Sequence, residues 1–341
     1  MQAQTMLSAV FAAEGVLELR EHAVPVVRQP DDVLIEVEGC GICGTDLHIL
    51  EVPPGHPATP GVILGHEYLG RVRAVGCDVN SLKLGTRVAV APNLHCDRCQ
   101  FCRAGFPNHC RNFTTLGIFR DGGLAPYNVA PERACHPLSQ EVPFEDAVWT
   151  ELLSCVTHSV SNVKPLVGET ALVIGAGPVG ALHAMLLQAG GVRVIVSDLQ
   201  SVRRRLLADL GVQRTVNPNR EDVREVIETE CRLGADIVVD TVGSQFNLAV
   251  ETARVGGRVS LFGMDSQARP TVCQNAITRK ELTVYGSYVG AATFPSAIAI
   301  LESGVIKPSR LISEVFPLQE VNRAIDSLRK GSMMKAVVST T

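Results

Sequence analysis

Apolar and polar positions alternate over most of residues 1–38, in LSAVFA, VLELREH and DDVLIEVEG, and this period of two predicts strands. The glycines of GCGICGTDLH (39–48) predict a sharp bend from strand into helix, and residues 49–60, ILEVPPGHPATP, read as a proline-rich loop. Strand-like runs follow in GHEYLGRVRAVGCDV (65–79) and LKLGTRVAV, punctuated by Gly70 and Gly76. Residues 113–137 read as strands and turns, and FEDAVWTELLSCVTHSV, within 144–163, as one helix ending before Pro165 and Gly168. From Ala171 the pattern changes to short, wholly apolar runs separated by helical ones. ALVI, a glycine turn, ALHAMLLQAG and VRVIVSD form strand, turn, helix and strand, which is one βαβ unit. The same rhythm continues through helices at 201–211 and 221–233 and strands at 235–243, 257–264 and 281–290. TFPSAIAILESG then predicts a helix, and residues 313–317 with the closing KAVVST predict strands that return to the first half. Buried-strand runs alternating with helices predict an α/β fold whose second half is a doubly wound parallel sheet.

The turn inside the βαβ unit is Gly175-Ala-Gly177-Pro178-Val179-Gly180. Gly175 permits the tight turn, Gly177 admits a pyrophosphate close to the backbone, and Gly180 lets helix pack on strand. Pyrophosphate oxygens suit the unpaired N–H groups that open the following helix. Asp198, 18 residues beyond Gly180, stands where an acid binds the ribose hydroxyls and repels a 2′-phosphate. The segment therefore predicts NAD binding. The arginine run of SVRRRLLADLG (201–211) reads most simply as the solvated face of a helix, with Arg203 within reach of the adenosine end as the functional alternative. Val242 and Met264, at the C-terminal ends of two further strands, should face the cofactor, since open parallel sheets bind ligands there. A glycine turn that holds no ligand is the plain alternative.

The 341 residues suggest about two domains, and aromatic residues make up only 4%, so aliphatic side chains must fill the core. The net charge of −4, without a basic block, points away from nucleic acid and acidic membrane surfaces. No apolar run approaches the roughly 18 residues of a membrane span, and the N-terminus does not read as a secretion signal. A soluble, cytoplasmic protein is the expectation. Eleven cysteines then argue for metal binding, not for a disulfide framework.

Two cysteine groups carry candidate chemistry. Cys96, Cys99, Cys102 and Cys110 place four thiolates within fifteen residues, which fits a closed tetrahedral structural zinc site. An iron–sulfur cluster is the rival, but its runs are spaced differently and usually carry proline after the last cysteine, where this chain has Arg111. Cys43 lies near Thr45, Asp46 and His48, and His66-Glu67 follows in a separate segment. A thiolate and an imidazole from two segments, completed by a carboxylate or water, are what zinc uses in a catalytic site. Cys40 and Cys43 also form a CxxC, so a redox pair competes, though no thioredoxin-like pattern surrounds it. Glu151, Cys155 and the nearby His158 share a predicted helix face, which solvent or packing explains equally well.

Taken together, GICGTDLH, GHEYLGRVRAVGCDV, CDRCQFCRAGFPNHC, the Glu151 segment and IGAGPVG resemble the zinc-containing medium-chain alcohol/polyol dehydrogenases, in the family's order and along nearly the whole chain. The resemblance implies a GroES-like β-barrel catalytic domain formed by both chain ends, residues 1–150 and 287–341, with a Rossmann domain, 151–286, inserted between them and the active site in the cleft. It implies two zinc ions per chain. Cys43, His66, Glu67 and Glu151 match the catalytic-zinc positions, with either glutamate as the direct ligand, and Cys96, Cys99, Cys102 and Cys110 match the structural site. Asp46 matches a residue that orients His66. Thr45 and His48 match the relay that takes the substrate proton, through the ribose, to solvent. Leu152 replaces a proline frequent in polyol-type members and Cys155 a small residue, which bears on pocket shape. The implied activity is oxidation of a secondary alcohol in a polyol, sugar acid or cyclitol by NAD, in a homodimer or homotetramer joined through the Rossmann sheet edge. A simple alcohol dehydrogenase and a non-catalytic NAD-binding protein are the alternatives.

Overall fold

The computed structural model describes residues 4–331 and 333–340. They form two compact units, one from Met1–Leu152 with Ala291–Thr341 and the other from Leu153–Gly290.

In the first unit the organising strand is Asp32–Gly41. Its apolar residues Val33, Ile35 and Val37 are buried, while Leu34, Glu36 and Glu38 between them are only partly covered, as the period of two requires. It pairs antiparallel with Glu67–Val75, with Tyr127–Pro131 and with Ala336–Ser339. The last pairing sets Val337, Val338 and Ser339 opposite Gly41, Cys40 and Gly39, so the end of the chain closes the sheet begun near its start. Glu314–Pro317, Arg87–Val90 and Cys135–Pro137 complete a seven-stranded sheet. A hairpin, Thr5–Ala13 with Val16–Ala23, packs Ala9, Val10 and Phe11 into the same core.

The second unit is a six-stranded parallel sheet. Its spatial order is Arg214–Val216, Arg193–Ser197, Thr170–Ile174, Ala235–Asp240, Ala253–Leu261 and Thr283–Gly286. In chain order that is 3-2-1-4-5-6, the doubly wound arrangement. The order reverses between Thr170–Ile174 and Ala235–Asp240, and both strands are buried aliphatic runs. Ligands bind such sheets outside the carboxyl ends of the strands at this reversal. Gly175 and Thr241 stand there, tied by Thr241 donating to the Ile174 carbonyl from its N–H at 3.0 Å and its hydroxyl at 2.8 Å.

Three departures from the sequence pattern stand out. The helix expected over 144–163 is two, Phe144–Ala147 and Thr150–Val163. Between them the Trp149 N–H bonds back to the Asp146 carbonyl at 3.2 Å and the Thr150 hydroxyl to the Ala147 carbonyl at 2.7 Å, which tightens the turn and buries the indole completely. Helices at Phe246–Thr252, Gln274–Lys280 and Val321–Arg329 lie outside the expected set. Two of these have only seven residues, too few for periodicity to register, whereas the third buries Val321, Ala324 and Ile325 at helical spacing. The strand expected over 281–290 is only Thr283–Gly286. Among the described residues no helix is long and apolar enough to cross a membrane.

Candidate active site

The strand Asp32–Gly41 runs directly into the helix Gly44–Ile49, and Cys43 is the residue that caps it. Asp46 makes this turn. Its Oδ2 accepts the Cys43 N–H at 2.9 Å, satisfying a donor that the helix start leaves open. The side chain is 1% exposed, and its other oxygen, Oδ1, points to His66 Nδ1 at 3.6 Å. His66 and Glu67 lie where the neighbouring strand begins, with Glu67 opposite Gly41. Cys43, His66 and Glu67 thereby bring one donor atom each to within 4.8 Å of one another.

This cluster is short of positive charge. Burial disfavours a charged His66, yet the Asp46 carboxylate and Cys43 sulfur outweigh it and hold the imidazole well above its usual pKa. Asp46 Oδ1, His66 Nδ1 and Glu67 Oε1 are all buried without a hydrogen-bond partner. Asp46 Oδ1 and His66 Nδ1 face each other across 3.6 Å, while Glu67 Oε1 is left without a partner beside Cys43 and His66; buried polar atoms rarely go unmatched, and this one fits a bound cation with Asp46 orienting His66 behind it. The donor set of sulfur, imidazole and carboxylate suits zinc. Glu151 is buried in the first turn of Thr150–Val163, but its carboxylate is not among the atoms gathered within 4.8 Å.

Cys96, Cys99, Cys102 and Cys110 form the second cluster. Sulfur separations are 3.6 Å for Cys99–Cys102, 3.9 Å for Cys99–Cys110 and 3.5 Å for Cys96–Cys110. A tetrahedron with Zn–S bonds near 2.3 Å has edges of about 3.8 Å. The N–H groups of Cys96 and Asn112 each donate to Cys110 Sγ at 3.3 Å. Backbone N–H groups of Cys102 and Arg111 pull Cys99 down to about 6, while desolvation pushes Cys102 up to about 12. The eleven cysteines are all free thiols, so neither Cys40–Cys43 nor this group forms a disulfide.

Thr45 and His48 share the Gly44–Ile49 helix. Thr45 Oγ1 lies 3.7 Å from Cys43 Sγ. His48 is 60% exposed, and its Nδ1 bonds Glu51 Oε1 at 2.9 Å, a partner that the i,i+3 spacing could have shown.

In the second unit Gly175 turns the chain at a φ of 97° and Gly177 caps the helix Pro178–Ala189, with Pro178 as its first residue. A Cβ on Gly180 would stand 1.9 Å from the Gly175 carbonyl oxygen, so only glycine lets helix and turn meet. Val179 sits half-buried in the same first turn. Asp198 closes the next strand, its Oδ2 accepting the Ala176 N–H at 2.7 Å and Oδ1 the Gln200 N–H at 2.6 Å. Arg203 leans over the turn, with Nη1 3.9 Å from a Cβ built on Gly177, and its buried Nε has no partner. Val242 and Met264 are 46% and 73% exposed beyond their strands.

The chain's similarities agree with this geometry. Residues 29–140 match the alcohol dehydrogenase GroES-like domain, and residues 178–303 match zinc-binding dehydrogenase. L-threonine 3-dehydrogenase of Caldanaerobacter subterraneus is 33% identical over 91% of this chain and 91% of its own. The chain belongs to the zinc-binding dehydrogenase family. It is an oxidoreductase of the alcohol and polyol dehydrogenase type, and its two units are the GroES-like and Rossmann-like parts of that fold. D-arabinitol dehydrogenase 1 of Uromyces fabae is 30% identical over 92% of this dehydrogenase and 91% of the relative. A zinc-binding dehydrogenase structure from Sinorhizobium meliloti, bound to NADP, superposes with a TM-score of 0.92 at 31% identity, covering 98% and 99% of the two chains.

Two residues beside this dehydrogenase's metal cluster carry almost no sequence signal. Lys335, 2% exposed, donates from Nζ to Glu67 Oε2, and Trp149 packs beside it with its ring centroid 5.3 Å from Nζ. The one hint is a lysine in an otherwise apolar closing run, MMKAVV.

Proposed function

We propose that this dehydrogenase oxidises a secondary alcohol flanked by further polar groups, as in a polyol, sugar acid, cyclitol or hydroxy amino acid, using NAD and a zinc ion held by Cys43, His66 and Glu67. The convergence of these three donors within 4.8 Å, beside buried atoms with no other partner, carries the reading. Cys96, Cys99, Cys102 and Cys110 hold a second, structural zinc.

Zinc held by Cys43, His66 and Glu67 would supply Lewis acidity towards the substrate hydroxyl, and NAD held at the glycine turn would supply the hydride acceptor. The residues do the rest. Asp46 orients His66. Thr45, beside Cys43, accepts the hydroxyl proton as it gives up its own, which moves on towards the exposed His48, steadied by Glu51, and from there to solvent. Gly175, Gly177 and Gly180 receive the pyrophosphate at the helix start, with Pro178 and Val179 in its first turn, and Arg203 reaches the adenosine end. Val242 and Met264 line the cofactor. Asp198 favours NAD by repelling a 2′-phosphate. Glu151, buried in the first turn of Thr150–Val163, stands outside the donor cluster and takes no ligand role in this reading. Eleven free cysteines suit the reducing cytoplasm, and the edge strand Thr283–Gly286 suits pairing with a second copy.

The test is NADH formation across polyols, sugar acids, cyclitols, simple alcohols, D-arabinitol and L-threonine, with NAD and NADP, before and after chelation, with zinc counted per chain. NAD-linked activity on a polar secondary alcohol, lost with one of two zincs, supports the reading. Faster turnover of simple aliphatic alcohols would reverse the substrate ranking, and full activity without the first zinc would remove the mechanism.

A further inference from the structure

Lys335 lies just before the closing strand Ala336–Ser339, with Nζ against Glu67 Oε2 and side chains 2% and 0% exposed. The chain makes room for this pair. Gly41 sits between the two strands, opposite both Glu67 and Val337. A Cβ there would stand 2.2 Å from Glu67 Oε2, 3.1 Å from Lys335 Cε and 3.2 Å from Nζ. On the other side Nζ faces the fully buried Trp149 ring.

Stability alone does not account for such a pair. Two ions withdrawn from water repay their desolvation poorly, and apolar residues of the same volume frequently serve as well. The two oxygens of Glu67 are unequal in a more telling way. Oε2 is engaged by the ammonium, whereas Oε1 is buried and has no partner.

We propose that Lys335 is a positioning residue that engages Glu67 Oε2 and so presents Oε1 as a single-oxygen ligand to the metal beside Cys43 and His66. This rests on the proposed catalytic zinc. It makes Glu67 the carboxylate ligand in place of Glu151, with Gly41 providing the space.

The test is metal retention by the full-length, zinc-loaded enzyme, dialysed against graded dipicolinate, with zinc counted per chain and the emission of the chain's one tryptophan, Trp149, followed in parallel. In the native enzyme one of two zincs should leave first, with a change in Trp149 emission. Lys335→Met should release that zinc at chelator concentrations lower by on the order of tenfold or more, leaving the second zinc unchanged. Lys335→Arg, which restores a cationic donor, should recover most of the loss. In a Glu67→Ala background, Lys335→Met should add nothing further. Retention equal to native in Lys335→Met, or an equal loss with and without Glu67, would overturn the proposal. If Lys335→Met does not fold, Lys335→Gln, neutral and of similar reach, decides by the same criteria. A native enzyme with only one zinc would instead defeat the catalytic-zinc reading, so the two failures are distinguishable.

Discussion

Asp46 Oδ1 stands 3.6 Å from His66 Nδ1, while Asp46 Oδ2 accepts the Cys43 N–H at 2.9 Å. One buried carboxylate thus ties together the two chain segments that bring the sulfur and imidazole donors. Asp46→Asn keeps the shape and removes the charge that steadies the ring. Loss of such an outer partner typically lowers metal affinity by about 10–100-fold. Zinc retention by Asp46→Asn should fall in that range, read by chelator competition, while the four-cysteine site stays loaded. Unchanged retention would mean that the Asp46–His66 approach only completes the fold.

The four-cysteine cluster makes a separable prediction. Its sulfurs already sit near tetrahedral spacing, with separations of 3.6 Å for Cys99–Cys102, 3.9 Å for Cys99–Cys110 and 3.5 Å for Cys96–Cys110. Cys110→Ser should lose one zinc and lower thermal stability, because metal binding at such sites is coupled to local folding. Its cysteines come from a separate stretch of chain, so Cys43, His66 and Glu67 should keep their zinc. Elemental analysis with calorimetry checks both statements.

Gly180→Ala tests the turn. The added methyl would meet the Gly175 carbonyl oxygen at 1.9 Å, and backbone cannot yield as a side-chain tip can. The helix start must shift, carrying its N–H groups away from the pyrophosphate. NAD affinity should drop by about tenfold or more, since 1.4 kcal/mol of lost contact is one decade. Isothermal titration measures it, and both zincs should remain.

Asp198 gives a test of the choice between the cofactors. Its carboxylate stays at the strand end, held by the Ala176 and Gln200 N–H groups. Asp198→Ala should weaken NAD binding and relieve the repulsion of a 2′-phosphate, shifting the NADP/NAD ratio of kcat/KM upward by roughly tenfold. The NADP-bound relative shows that such a fold can receive the phosphorylated cofactor. Steady-state kinetics with both cofactors would expose a native preference for NADP, which the Asp198 argument forbids.

The glycine turn, the two cysteine groups and the strand-to-helix bend at Cys43 were legible because each packs its chemistry into a few adjacent residues. Five of the six parallel strands were legible as apolar runs, and Arg214–Val216, three residues of which only Val216 is buried, was not. Lys335 was not, because its meaning comes from a strand pairing between residues near 40 and residues near 337, and no local pattern marks it. Trp149 was hidden for a related reason. The 144–163 segment is periodic enough to look like one helix, and the turn that buries the indole depends on the Trp149 N–H bonding the Asp146 carbonyl and the Thr150 hydroxyl bonding the Ala147 carbonyl. Glu151 was legible as a residue of interest but not as a ligand or non-ligand, since that depends on which carboxylate the fold brings to Cys43.

A last prediction concerns His183, fully buried in the helix Pro178–Ala189. Its Nδ1 lies 2.9 Å from the Val179 carbonyl, which can only accept, so the proton is on Nδ1. Nε2 must then accept the Ser159 hydroxyl at 2.9 Å, and Ser260 in turn donates to Ser159 at 2.8 Å. A second proton would break this chain of donors inside a fully buried site. Burial accordingly pushes the His183 pKa down to about 4. The folded pKa lies below the unfolded one, so the unfolded chain binds more protons between the two values. The contribution is whole above about pH 6.5 and is lost as pH falls towards about 4, amounting to roughly 3 kcal/mol at most. His183→Gln removes the titration while keeping polar contacts within reach. Urea midpoints of both proteins, followed by far-UV circular dichroism from acid to neutral pH, should converge as the pH falls through this window. A difference that stays constant would show that His183 takes up its proton equally in the folded and unfolded chain, which would overturn the lowered pKa.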